Sequence, residues 1–206
     1  MSNANTVINI SRRNFVIGSG VSGTSLALGL TLPGFANTTT GNDNADEINA
    51  WAVVNADDSV VIRVVRSEMG QGTLTGLAQL VAEELDCDWS KVSTEQPTPG
   101  ESLARDRPWG AFATGGSRGI RESNQYVSEG GAAAKLMLLE AAAGKWQVPM
   151  SECTGQDSVI THTPSGRTIS YGKVAALAAA LAPPLEITLK DQKDWRIAGQ
   201  PKKRLD

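Results

Sequence analysis

The chain has 206 residues, 40% hydrophobic and 20% charged, with 19 Lys+Arg against 22 Asp+Glu and a formal net charge of −3. That length and balance allow one domain, or at most two, with a real core, and a chain with no basic block gives a nucleic-acid partner no electrostatic support. The two cysteines, Cys87 and Cys153, can pair but nothing requires it, no C-x-x-C is present, and a single histidine, His162, excludes a histidine metal cluster.

In chain order, the first element is a segment that can be read two ways. Gly18, Gly20 and Gly23 spell G-x-G-x-x-G after Phe15-Val16-Ile17. A dinucleotide-binding turn needs a buried strand before it and an acidic residue closing a second strand about twenty positions later. Here the flanks are polar NISRRN and NTTTGNDNADE, so that reading fails on context. Arg12-Arg13, an uncharged stretch over 15–36 and LPGFA ending at Ala36 instead have the layout of an export signal. SRRNFV matches the twin-arginine pattern, and Gly, Ser and Thr dilute the apolar run below what a stable transmembrane helix needs. Residues 1–36 are therefore expected to direct export to the periplasm, with membrane association if the segment is not cleaved. Folded export implies a cofactor inserted beforehand.

Polar residues 37–47 read as a linker. NAWAVVN and SVVIRVVR flank the turn Ala56-Asp57-Asp58 and predict a β-hairpin. TLTGLAQLVAEEL places Leu74, Leu77, Ala78, Val81 and Leu85 at helical spacing, and DWSKVSTEQ predicts a turn and a short strand. PTPGESLARDRPWGAFATGG reads as a long loop. A second helix is expected from Ser117 to before Pro149. A second hairpin centred on TPSGR places His162 on the surface. YGKVAALAAAL is a short third helix ended by Pro183-Pro184. Hairpins packed with two to three helices make an α+β fold, a domain over 48–182 followed by a linker, 183–206, toward a further domain.

The chemistry is expected in SEMGQGT and ATGGSRG, two glycine-rich stretches that each precede a helix. A helix N-terminus offers unpaired N–H groups and partial positive charge, and glycine lets a ligand approach the backbone. Two such loops suit one extended anion. Gln71 can donate and accept toward a heterocycle edge, and Arg105, Arg107, Arg118 and Arg121 crowd the second loop as phosphate partners. Ordinary capped turns are the competing explanation.

RSEMGQGTLTGLAQLVAEELDCDWSKV resembles the cofactor-binding segment of the xanthine oxidase family of molybdenum hydroxylases, and PTPG with LARDRPWGAFATGGSRGIRES resembles its second cofactor-contacting loop. With the twin-arginine signal, residues 11–206 resemble the large (beta) subunit of isoquinoline 1-oxidoreductase-type enzymes and related bacterial aldehyde dehydrogenases. The resemblance implies a molybdopterin cytosine dinucleotide cofactor. Gly70, Gln71 and Gly72 would contact its pterin and phosphate part, and Thr114, Gly115, Gly116 and Ser117 its molybdenum end or phosphates. It further implies oxidative hydroxylation of an aldehyde or N-heteroaromatic, with water as the oxygen source. Electrons would leave through the iron–sulfur clusters of a small two-cluster 2Fe-2S subunit, with a cytochrome c beyond it. Large subunits of this family run on much further, and their molybdenum-side glycine loop and catalytic glutamate have no counterpart in these residues. The rest of the large subunit is thus an expected partner, no catalytic residue or metal ligand is assigned, and the fragment alone is expected to be inactive. Glu68, Glu83, Glu84 and Glu101 do not take the catalytic role; Glu83 and Glu84 read as a solvated helix face. The alternative is an exported non-catalytic domain that keeps the fold and binds a partner protein or an anion.

Overall fold

The computed structural model describes residues 45–206; the export segment and most of the 37–47 stretch lie outside the described residues. Strand β1 (Ala45–Glu47) covers the end of the stretch read as a linker and pairs antiparallel with β2 (Ala52–Asn55). The expected hairpin follows, β2 with β3 (Val60–Arg63), Val53 opposite Val61. Alternation puts Val60 and Ile62 in the core, both 0% exposed, and Asp57 closes the turn by accepting from the Ser59 N–H at 3.0 Å. Helix α1 (Thr73–Leu85) has the bounds its periodicity predicts. It leads to β4 (Val92–Glu95), which pairs parallel with β3, Val60 opposite Val92. A parallel neighbour requires a crossover, so β3, α1 and β4 form one βαβ unit. Its loop, residues 64–72, sits at the carboxyl end of β3, where crossover folds collect ligands.

The expected long loop contains a helix, α2 (Pro99–Ala104). Thr98 Oγ1 accepts from Glu101 N at 3.1 Å while the Glu101 carboxylate accepts from Thr98 N at 2.5 Å, a capping box with Pro99 in the first turn. The T-x-x-E signal lay in the sequence among prolines and glycines that suggested irregular chain. Helix α3 (Gly119–Trp146) is the long second helix and ends at Gln147, two residues before Pro149. Its small residues let it lie against α1 at backbone distance. A Cβ on Gly131 would stand 2.4 Å from the Val81 carbonyl oxygen, and one on Gly130 2.6 Å from the ring of Trp51. Trp51 is buried and meets Tyr126 with ring centroids 5.1 Å apart, so the first sheet, α1 and α3 share one core.

A second antiparallel sheet has the order β5 (Cys153–Gln156), β6 (Val159–His162), β7 (Arg167–Ser170). β6 and β7 are the predicted hairpin, and β5 is a strand beyond the expected elements. His162 is not on the surface but 6% exposed, its Nδ1 2.6 Å from Ser165 Oγ and its Nε2 2.8 Å from Glu152. Strand alternation assigns a side chain to a face and cannot say that the end of α3, at Trp146, covers that face. The short helix α4 (Ala175–Ala179) follows Tyr171, whose buried hydroxyl donates to the Leu85 carbonyl at 2.9 Å. Cys87 and Cys153 are both free and buried, and burial pushes both thiols up. No helix among the described residues is long and apolar enough to cross a membrane.

The largest departure from expectation is the end of the chain. Residues 190–206 run back along α1, antiparallel to it, as a strap. Lys190 N donates to Glu84 at 3.1 Å, and the N–H groups of Arg196, Ile197 and Ala198 donate to one oxygen of Glu83 at 2.8, 2.5 and 3.0 Å. Leu205 N reaches Thr75 Oγ1 at 3.0 Å in the first turn. Glu83 and Glu84 are therefore not a solvated face: they are 1% and 4% exposed. Burial alone would raise the Glu83 carboxyl, but Lys190 and the three backbone donors outweigh it and hold it below the usual range. Glu84, with less support, is pushed up by burial. Lys190 also reaches Asp86 at 2.5 Å, which in turn binds Lys135 at 2.5 Å. Buried charges persist only when paired and hydrogen-bonded in this way.

Candidate functional site

The first loop descends from β3 through Ser67 to Gly72. Gly70 and Gly72 have φ of +91° and +79°, which an L side chain rarely adopts, and a Cβ at either would meet nothing within 4 Å. Glycine is needed there for conformation rather than room. Gly72 is the N-cap of α1 and has no side chain to satisfy the helix's first N–H groups. Glu68 does so instead: its two oxygens accept from Gly72 N and Leu74 N, both at 2.9 Å. Those donors, Leu74 first, hold the Glu68 carboxyl below the usual range. Arg204 of the strap stands 3.9 Å away. Gln71 turns inward on its own loop, Oε1 accepting from Met69 N at 2.5 Å and Nε2 donating to Ser67 O at 2.9 Å and Thr73 Oγ1 at 3.0 Å.

The second loop, 110–118, has left-handed residues at Gly110, Gly116 (φ +59°) and Ser117 (φ +54°). It enters α3 at Arg118, whose Nε donates to the Gly115 carbonyl at 3.3 Å, and no side chain among the described residues caps the first turn. Gly115, Gly116 and Ser117 are exposed, and a Cβ at Gly115 would meet nothing.

The two loops adjoin. Ser67 N donates to Thr114 Oγ1 at 2.9 Å, and a Cβ on Gly119 would stand 3.0 Å from the Thr73 side chain, so the N-termini of α1 and α3 are side by side. All seven expected contact residues thus belong to one region: Gly70, Gln71 and Gly72 on one loop, Thr114, Gly115, Gly116 and Ser117 on the other. The four arginines divide. Arg105 is committed elsewhere, paired with Glu47 and lying 4.7 Å over the Trp109 ring. Arg118 folds onto its own loop, and the side chains of Arg107 and Arg121 are exposed with no hydrogen bond among the described residues. The cation between the loops is Arg66, buried at 5% exposed, which the sequence did not single out. Its Nε donates to Ser123 Oγ at 3.0 Å and its Nη1 to the Ala113 carbonyl. The only available signal was its place directly before the glycine loop at the end of a strand.

Chemically, the region offers backbone N–H groups at two helix ends, one already filled by a carboxylate and one with no side-chain cap. It holds no cluster of potential metal ligands among the described residues. Donors at two adjoining helix ends suit one extended anionic frame.

Comparison with known proteins bears on the frame. The molybdopterin cofactor-binding domain family matches residues 9–204. The isoquinoline 1-oxidoreductase beta subunit of Brevundimonas diminuta is 34% identical over 173 residues, 82% of this chain and 22% of that protein. A membrane-bound aldehyde dehydrogenase of Gluconacetobacter polyoxogenes, whose name specifies pyrroloquinoline quinone, is 29% identical over 178 residues, 81% of this chain and 21% of that protein. The chain spans about a fifth of the length of these curated relatives. Among solved structures, a Cu,Mo-containing CO dehydrogenase superposes with a TM-score of 0.46 at 19% identity, over 61% of this chain and 15% of that one. With the family's match extending through both glycine loops and the strap, the chain belongs to the molybdopterin cofactor-binding domain family.

Proposed function

We propose that this chain is the molybdopterin-binding portion of a molybdenum hydroxylase large subunit, and that its two loops hold molybdopterin cytosine dinucleotide with a division of labour. The observation that carries the division is the capping difference. Glu68 already occupies two of the N–H groups at the α1 N-terminus and would repel a phosphate there, whereas the α3 N-terminus has no side-chain acceptor among the described residues. Gly115, Gly116 and Ser117 therefore take the anionic phosphates, with Thr114 fixing their loop, and Gly70, Gln71 and Gly72 face the uncharged ring system. Bound, the cofactor supplies the redox chemistry by which water oxygen enters an aldehyde or N-heteroaromatic. This chain's residues contribute binding, orientation and electrostatics. Turnover requires the whole large subunit and a two-cluster 2Fe-2S partner, with a cytochrome c as onward acceptor. The similarity to subunits of larger oxidoreductases supports this assembly, and Arg12-Arg13 supports periplasmic delivery by the twin-arginine route.

The test is metal and pterin analysis of the chain recovered from the periplasm of a molybdenum-replete cell. Stoichiometric molybdenum and a cytosine-containing pterin are expected. A folded, exported chain with neither would leave the non-catalytic, partner-binding alternative.

A further inference from the structure

Arg66 is buried, yet no carboxylate lies within ion-pair distance of it among the described residues. Its two hydrogen bonds go to neutral acceptors in different elements: the Ala113 carbonyl at the entrance of the second loop and Ser123 Oγ in α3. Burying an uncompensated cation is costly, and a residue kept only for packing would be apolar. A lysine would bring the charge but only a point donor, whereas the rigid guanidinium fork reaches two acceptors at fixed spacing. The next residue extends the same grip, Ser67 N on Thr114 Oγ1 at 2.9 Å. Ser123 is itself held by the Tyr126 hydroxyl at 2.7 Å, and Tyr126 meets the ring of buried Trp51. A continuous path therefore runs from the core to the second loop, and Arg66 is its last rigid member.

We infer that Arg66 is a positioning residue that clamps the 113–118 loop to the 67–72 loop and sets the spacing at which one extended ligand touches both. This role rests on reading the two loops as one cofactor cradle. The unpaired guanidinium adds its charge to the α3 N-terminus, so the clamp also biases the cradle toward an anion.

Three variants of the full chain separate the roles. Arg66→Lys keeps the charge and loses the fork, Arg66→Met loses both, and Ser123→Ala removes one acceptor. The first readout is the rate of tryptic cleavage after exposed Arg118, which reports local opening of the second loop. The second is molybdenum retained per chain. For Arg66→Lys, cleavage about tenfold faster and retention about tenfold lower are expected, the scale of one charged hydrogen bond, with Tm close to that of the parent. Ser123→Ala should move both readouts the same way by less. A clamp is overturned if Arg66→Lys matches the parent in both, since charge and packing would then suffice. If Arg66→Met does not fold, Arg66→Lys and Ser123→Ala decide alone. If the parent chain itself retains no molybdenum, the cofactor reading falls while the cleavage contrast still decides the clamp.

Discussion

The glycine loops MGQG and TGGS end at helix N-termini that lie side by side, but their N–H groups have different neighbours. At α1, Glu68 accepts from two of them, Gln71 knots the loop onto itself, and the strap brings Arg204 and Leu205 against the first turn. At α3, the loop is exposed, its first turn has no side-chain acceptor among the described residues, and it is held from beneath by Arg66 and Ser67. Glycine spacing marks where a backbone can be approached. Whether its donors are free depends on a carboxylate and a strap that the spacing does not encode.

The largest effect on this contrast should come from Glu83→Ala. It removes one of the Lys190 ammonium's two carboxylate partners, leaves three backbone N–H groups without their acceptor and frees the strap, so a loss of about 3–5 kcal/mol is expected in urea unfolding, with faster proteolysis at Lys202. A loss under about 1 kcal/mol would mean that the strap is held elsewhere. Next, Gly72→Ala and Gly116→Ala each impose a side chain on a left-handed residue and should cost about 1 kcal/mol apiece. If the second loop is the anion position, molybdenum retention falls further in Gly116→Ala than in Gly72→Ala; equal or reversed losses would erase the distinction. The smallest effect concerns charge at Glu68. Its folded pKa is depressed, so its stabilisation is present above the unfolded value, about 4.3, and is lost as pH falls through the lower folded value. The Tm gap between the parent and Glu68→Gln should therefore be widest near neutrality and shrink below about pH 4. A gap that stays constant with pH would show that hydrogen bonding, not charge, closes the loop.

The elements that were legible in sequence owed it to local physics. α1 follows from its 3.6-residue periodicity, β2 and β3 from alternation about an Asp-rich turn, and the end of α3 from Pro149. The glycine loops were legible because their conformation demands glycine at Gly70, Gly72 and Gly116. What stayed hidden depends on chain distant in sequence. Glu83 looks like a solvent residue until Arg196–Ala198 arrives 113–115 positions later. His162 looks exposed until Trp146 covers it. Arg66 has no periodic partner, so only the fold reveals that it lies between the two loops.

The contact of Gly131 with the Val81 carbonyl has a consequence for recognition. Because α3 rests on α1 through main-chain atoms, no rotamer change can widen or narrow the gap between the helices that carry the loops. In the proposed cradle the two halves are thus preorganised, and an incoming ligand would be spared most of the ordering entropy that a pair of independent loops would cost it.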